Sequence, residues 1–423
     1  MTLELLLSLV LAFRGALATW EVVNERSVEA SGGGDKPAIR YNHGAVVVGD
    51  QMVISHGYFY NRENGRPEWL HDTWSLSLTG DRAWERLAVG IEAKDAFKAL
   101  KDGRMPSSPS GRYGVTLSHY AGKLYLFGGT DGGASKHGNS GYEPGYEMSE
   151  LWEFDLSRRK WRFLNPKEGS HRPEARYLHS AAVIDDALYV YGGNSDGAGN
   201  VISWDFKSRQ WSEVASEKDT TDVGPGPRLG HASIPVDTPQ TRGFLIFGGR
   251  RRKEEVDKLA GDAWLFDARR RKWKGPLSAA VPKGTRPPPA PRVYSAMAAV
   301  SLPANADEDG PWGTAAVLTM GSVTTPVMSC NNEAWGVFLS NDTSVIAFQP
   351  LPDTPLGHYH HSLVGRGSAV YSFGGHLCST TKGEHPFYYL NRVESLDVAG
   401  IRAPRMAELE AAERAAKGAH EEL

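Results

Sequence analysis

Cysteine is nearly absent. The chain has 423 residues and two cysteines, Cys330 and Cys378. That excludes a disulfide-built scaffold and a zinc site made of several thiolates, and leaves one bridge open in an oxidising compartment. A strong charge of one sign is missing too. Lys plus Arg number 47 against 50 Asp plus Glu, a formal net charge of −3, so nucleic acid or an anionic membrane has no general field to follow. The two "RRRK" runs at 250–253 and 269–272 read as solvated loop and hairpin charges. Long apolar runs are also scarce. The longest, "LELLLSLVLAF" at 3–13, falls short of the ~20 residues that cross a bilayer, and no membrane span is expected. Glycine and tryptophan are plentiful, 47 and 12, in a chain that is 40% hydrophobic. Such a chain buries a large core and turns often.

The two ends resemble addressing signals. The N-terminal apolar run ends in Arg14 and is followed by "ALA" at 16–18. Residues 1–18 resemble a secretory signal peptide cleaved after Ala18, although Glu4 stands where a basic residue is usual; the other reading is a buried N-terminal helix. At the far end, 403–423 is expected to be a helical or disordered tail by its Ala, Glu and Leu content. It closes on "HEEL", His420, Glu421, Glu422 and Leu423. This resembles an endoplasmic reticulum retrieval signal with Glu421 in place of Asp. The expected location is the endoplasmic reticulum lumen, with secretion as the alternative.

Between the ends the chain repeats. Apolar strands running into a glycine pair recur as "KLYLFGG" (123–129), "ALYVYGG" (187–193), "GFLIFGG" (243–249) and "AVYSFGG" (369–375), with degenerate copies "MVISHG" (52–57) and "AVLTMGS" (316–322). Each follows a leading tetrapeptide: "RYNH" at 40, "RYGV" at 112, "RYLH" at 176, "RLGH" at 228, "RVYS" at 292 and "HYHH" at 358. Third and fourth strands then appear in "LWEFDLSRRKW", "VISWDFKSRQW" and "AWLFDARRRKW", where an Asp precedes an aromatic by six residues. Four short strands with apolar faces cannot bury both faces alone, but sheets stacked around an axis can.

The double glycine, the leading arginine and the spaced tryptophan resemble the kelch-repeat β-propeller family, over 19–402. The resemblance implies an all-β, six-bladed propeller. Fourth strands are legible as "WERL" (84–87), "WRFL" (161–164), "WSEV" (211–214), a shortened "WKGP" (273–276) and "FQPL" (348–351), but the sixth copy ends at "RVESLDV" (392–398) without one. "WEVV" at 20–23 matches their pattern and is expected to close the last blade.

On this scaffold the leading column, Arg40, Arg112, Arg176, Arg228, Arg292 and His358, supplies the candidate ligand-binding residues. In kelch propellers this position lies near the channel mouth, and guanidinium groups there would favour an acidic peptide or an anionic glycan. Alternatively, these arginines stitch blades together. His43, His179, His231 and His361 share one column and read as structural. His358 and His360 are expected on one strand face, with His361 opposite. Cys330 and Cys378 follow the second strands of adjacent copies and are expected to pair. Asn341, in "NDT", is the candidate glycosylation site, at an exposed tip. The loop "TDGGASKHGNSGYEPGYE", with His137, Tyr142 and Tyr146, is a candidate recognition segment. No cofactor or metal and no catalytic set is expected. The leading reading is a monomeric binding protein for a protein or glycan. Its rival is a carbohydrate-active enzyme. "YHHSLV…FGGHLC" resembles the copper-radical oxidases of this fold, but the position of Cys378, the blade count and the lack of a C-terminal domain depart from them. A sugar mutarotase is another six-bladed kelch relative.

Overall fold

The computed structural model describes residues 18–24, 35–61, 64–131, 147–216, 223–251, 258–302, 312–323, 330–377, 392–401 and 403–411. Six antiparallel sheets form the wheel. Blade I runs Gly44–Val48, Gln51–Ser55, Asp72–Ser77, Trp84–Val89 from axis to rim, and blade II Thr116–Tyr120, Lys123–Phe127, Leu151–Asp155, Lys160–Phe163. Blade III is His179–Ile184, Ala187–Gly192, Val201–Asp205, Gln210–Ala215, and blade IV Ala232–Asp237, Arg242–Phe247, Ala263–Asp267, Lys272–Lys274. Blade V is Ala296–Val300, Trp312–Thr319, Ala334–Ser340, Val345–Leu351. Blade VI takes Ser362–Arg366, Ala369–Phe373 and Val393–Asp397 from the end of the chain and Trp20–Asn24 from its beginning.

The second strands are largely apolar because both their faces are covered. In blade I, Met52 and Ile54 pack towards blade VI while Val53 packs towards blade II. In blade II, Leu124 and Leu126 meet blade I while Tyr125 and Phe127 meet blade III. Period-two alternation thus divides one apolar strand between two interfaces. Six such apolar layers result, one per pair of adjacent blades. The fourth-strand aromatics lie across these layers on the second strand of the preceding blade: Trp84 on Phe373 at 5.2 Å, Trp211 on Phe127 at 4.9 Å and Trp273 on Tyr191 at 4.7 Å between centroids.

The closing strand sits where the sequence puts it. Trp20 faces Leu396, Glu21 faces Ser395 and Val22 faces Glu394, with a bulge before Asn24. Trp20 enters the layer between blades V and VI, and its indole N–H donates to the Pro352 carbonyl at 3.0 Å. Val23 enters the layer between VI and I, while Val22 is 45% exposed.

Two features depart from the sequence reading. After its short outer strand, blade IV sends Ser278–Pro282 to the edge of blade V, parallel to Val345–Leu351. Leu409–Ala411 then pairs antiparallel outside it. Residues 403–411 therefore hold a 3-10 turn, Met406–Glu408, and a strand, where a helix or disorder was expected. The edge of blade V offers unpaired backbone groups, and pairing there outweighs helix propensity. The connection after blade I holds a helix, Ala93–Lys101. Among the described residues, no helix is long and apolar enough to cross a membrane.

Candidate binding face

In such blades the connections into the first strand and those from second to third strand emerge on one face of the wheel. The leading column opens on that face, but its arginines do not. Arg40, Arg112, Arg176, Arg228 and Arg292 are all 0–1% exposed. Each donates to the carbonyl that ends the second strand of its own blade: His56, Gly128, Gly192, Gly248 and Met320. Four also bind a third-strand carboxylate: Arg40 to Asp72 at 2.8 and 3.1 Å, Arg112 to Glu150 at 2.9 Å, Arg228 to Asp262 at 2.8 and 3.3 Å, and Arg292 to Glu333 at 2.6 Å. The same carboxylates accept the indole N–H two residues on, from Trp74, Trp152, Trp264 and Trp335. Burial raises the Asp72 carboxyl, but Arg40 and the Trp74 indole outweigh it and hold it at about 2. These guanidinium groups are occupied by their own blades, which corrects the expectation that they converge on an anionic ligand.

In blade VI the column holds His358, 1% exposed, whose Nδ1 donates to the Leu356 carbonyl at 3.0 Å. It too lies away from solvent. Its ring meets His361 at 4.7 Å between centroids, not His360. His360 has φ 60°, and this left-handed residue breaks the strand alternation on which the expected pairing rested.

The glycine pair has a steric reason as well as a conformational one. Gly128 and Gly129 have φ 68° and 99°, and a Cβ on Gly128 would stand 2.5 Å from the Arg176 carbonyl and 2.8 Å from the His179 ring of the next blade. That histidine column locks blade to blade: Nε2 of His43, His179 and His231 lies 2.8–3.0 Å from Ser362, Thr116 and Ser180 hydroxyls, and His361 from Thr319 at 2.8 Å. Burial, first, pushes all four imidazoles down, His43 and His231 to about 3.

At the axis, the residue two after each leading position is left-handed: Asn42, Gly114, Leu178, Gly230, Tyr294 and His360. Their backbones bond in a closed circle. Asn42 N–H donates to His360, His360 to Tyr294, Tyr294 to Gly230, Gly230 to Leu178, Leu178 to Gly114 and Gly114 to Asn42, at 2.7–3.3 Å.

Around this circle runs an arc of half-buried rings. Tyr177, Tyr113, Tyr58 and Tyr41 follow at centroid distances of 5.9, 5.5 and 5.0 Å. Tyr41 meets His360 at 5.6 Å, and His360 lies on Tyr294 at 3.8 Å and Tyr359 at 4.8 Å. Blade IV interrupts the arc with Leu229 and Gly230. Burial, then Tyr177, Tyr58 and Tyr294, raises the Tyr113 phenol; burial, then Tyr294, lifts Tyr359 to about 12. The sequence reading missed these rings although "RY" and "HY" stand in four of the six leading tetrapeptides.

Beside Tyr177, between blades II and III, opens a cavity of about 400 Å³ lined by Glu147, Glu174, Ala175, Asn194, Ser195 and Asp196. Asn194 Nδ2 donates to the Tyr177 hydroxyl at 2.7 Å and to Glu147 at 3.3 Å.

Of the remaining expectations, Asn341 does sit at the tip between the third and fourth strands of blade V, on the opposite face, but half-buried instead of exposed. Cys330 is disulfide-bonded. Cys378, the segment with His137, Tyr142 and Tyr146, residues 1–17 of the expected signal segment and the terminal His420, Glu421, Glu422 and Leu423 lie outside the described residues.

A family model described as the KLHDC2/KLHL20/DRC7 Kelch-repeats domain matches residues 105–302. The chain is 27% identical over 226 residues to the leucine-zipper-like transcriptional regulator 1 homolog of Drosophila melanogaster, covering 43% of this chain and 21% of that protein. It is 24% identical over 218 residues to an N-(sulfonatooxy)prop-2-enimidothioate sulfolyase of Thlaspi arvense, 52% of each chain. To the human Kelch domain-containing protein 3 it is 24% identical over 288 residues, 66% of this chain and 67% of that one. The chain thus spans only about a fifth of the first of these relatives and about half of the second. The solved structure of YjhT superimposes with a TM-score of 0.54 at 14% identity, over 87% of this chain and 96% of that one, a likeness of fold. The family model over residues 105–302, the kelch-domain relatives and the six repeats closed into a wheel together support a kelch-repeat propeller.

Proposed function

We propose that this propeller is a monomeric binding module of the endoplasmic reticulum lumen that recognises a protein partner on the face bearing the tyrosine arc. The arc carries the reading. Tyrosine joins a large apolar ring to a polar tip at small entropic cost, and is enriched where proteins meet. Kelch-domain relatives support a protein-binding scaffold. The resemblance of residues 1–18 to a signal peptide and of "HEEL" to a retrieval signal, with the bonded Cys330, supports the oxidising lumen. The anionic glycan loses its support, since the arginines that would hold it are buried.

A photo-crosslinking residue placed at Tyr177, against one at Asn341 on the other face, tests the face in cells. Partner adducts from position 177 alone are expected; adducts from position 341 alone, or from neither, would refute it. Removing residues 420–423 should send the protein to the medium, and unchanged retention would refute the retrieval signal. The sulfolyase relative favours a second reading, catalysis on a small molecule at the same rim. Turnover of sulfated or sugar substrates by the purified chain tests it.

A further inference from the structure

Blade III departs from its siblings in one place. The third-strand carboxylate that neutralises the leading arginine in blades I, II, IV and V is replaced by Asn200, whose amide donates to Glu213 at 2.8 Å. The acid has moved. Two residues before the arginine the other blades carry Ala38, Ser110, Gly226, Ala290 and Leu356, and blade III carries Glu174. Its carboxylate is 3.9 Å from the Arg176 guanidinium, beyond hydrogen-bonding distance, and the Glu174 side chain is 53% exposed. Burial, with only Glu174 opposing it, lowers Arg176 to about 10. A carboxylate placed there serves the buried arginine poorly and serves the cavity well.

The chain makes room for it. A Cβ on Gly197 would stand 1.7 Å from Glu174 Oε2, so the carboxylate rests against bare backbone, where Ser195 Oγ donates to it at 3.3 Å. Glu147 and Asp196, both exposed, complete the lining. The lining Asn194, which donates to Glu147, also donates to the Tyr177 hydroxyl of the arc. Three carboxylates, the Asn194 amide and the Ser195 hydroxyl line about 400 Å³ of open space. An anionic ligand would meet like charge. A cation would meet three carboxylates from neighbouring loops at once.

We infer that this cavity receives a cationic side chain, a lysine or arginine, of the partner protein. The inference rests on the proposed function and gives its ligand a charge, opposite to the one the arginine column implied.

The test is selection of random peptides on the purified full chain, with the hits remade as fluorescent peptides. Peptides rich in Lys or Arg are expected, binding less tightly as salt rises. The doubly substituted Glu174→Gln, Asp196→Asn chain changes only exposed side chains and should bind them roughly tenfold more weakly. Hits without basic residues, or equal affinity for the double variant, would overturn the inference. If such hits still lose affinity on Tyr113→Ala, the face survives and only the cation fails. If nothing is enriched, or the hits ignore Tyr113→Ala, both readings fall.

Discussion

The amide of Asn42 donates to the carbonyl of His360 at 3.0 Å, bonding the first blade to the sixth at the axis. The same two blades lie side by side because blade VI takes its outermost strand from residues 20–24. The wheel is therefore closed twice, by backbone at the hub and by a borrowed strand at the rim. The hub circle has left-handed backbone at six equivalent places, beside which the half-buried rings of the arc stand.

Because the hub bonds remain, losing the rim strand should weaken the wheel without opening it. Trp20→Ala removes a ring from the layer between blades V and VI. It is expected to cost about 2 kcal/mol, while Val22→Ala, at a 45% exposed position, should cost less than about 0.5 kcal/mol. Urea unfolding measures both, and equal values would mean that strand pairing does not hold the seam.

The arginine locks predict a contrast between two carboxylates. Asp262→Asn leaves Arg228, fully buried, without its charge partner and should destabilise by roughly 3 kcal/mol. Glu174→Gln, whose carboxylate is half-exposed and 3.9 Å from Arg176, should cost under about 1 kcal/mol. Thermal or urea unfolding of the pair would show it, and a larger loss from Glu174→Gln would reverse the assignment.

Acid should loosen the wheel before it reaches the carboxylate range. The blade-lock histidines are held neutral by burial, His231 down to about 3, while in the unfolded chain they titrate near ~6.5. Below that pH the unfolded state binds protons the folded state refuses, so stability is complete above ~6.5 and declines as pH falls towards the folded value. Between ~6.5 and ~5 each lock accounts for roughly 2 kcal/mol. The depressed carboxylates Asp72, Glu150, Asp262 and Glu333 add a further loss below ~4, with the same sign. His231→Gln should flatten the dependence by about one proton. A slope identical to that of the unmodified chain would contradict the lock.

The tyrosine arc has an optical signature. Tyr359 is held up at about 12 and Tyr113 higher still, so both should ionise after the ordinary phenols near ~10. Tyr359→Phe should remove one late-titrating phenol from the ultraviolet titration. Removal of an early one would place that ring in open water.

Cys330 is disulfide-bonded and Cys378 is the chain's other cysteine. Denatured, unreduced protein should therefore present no reactive thiol, and reduction should lower stability by about 4 kcal/mol for a loop of this length. Two labelled thiols would refute the bridge and weaken the lumenal reading.

The sequence by itself determined the number of blades and the borrowed strand, because each blade is a local repeat and a missing "W" strand can be counted. Arg–acid–Trp locks were also written there, in "DTW" (72–74), "ELW" (150–152), "DAW" (262–264) and "EAW" (333–335), although the acid was not recognised as the arginine's partner. What a repeat cannot say is which way its residues point. Arg40 and Tyr41 are neighbours in every reading of the chain, yet the backbone turn at Asn42 and the packing of blade VI leave one buried and the other half-buried in the arc around the axis. Only the tertiary structure brought Glu147, Glu174 and Asp196 to one cavity, from three segments of two blades. It also sent the tail to blade V, where an unpaired edge outweighed local helix propensity. Periodicity is a property of neighbours in sequence, whereas charge at a surface depends on neighbours in space.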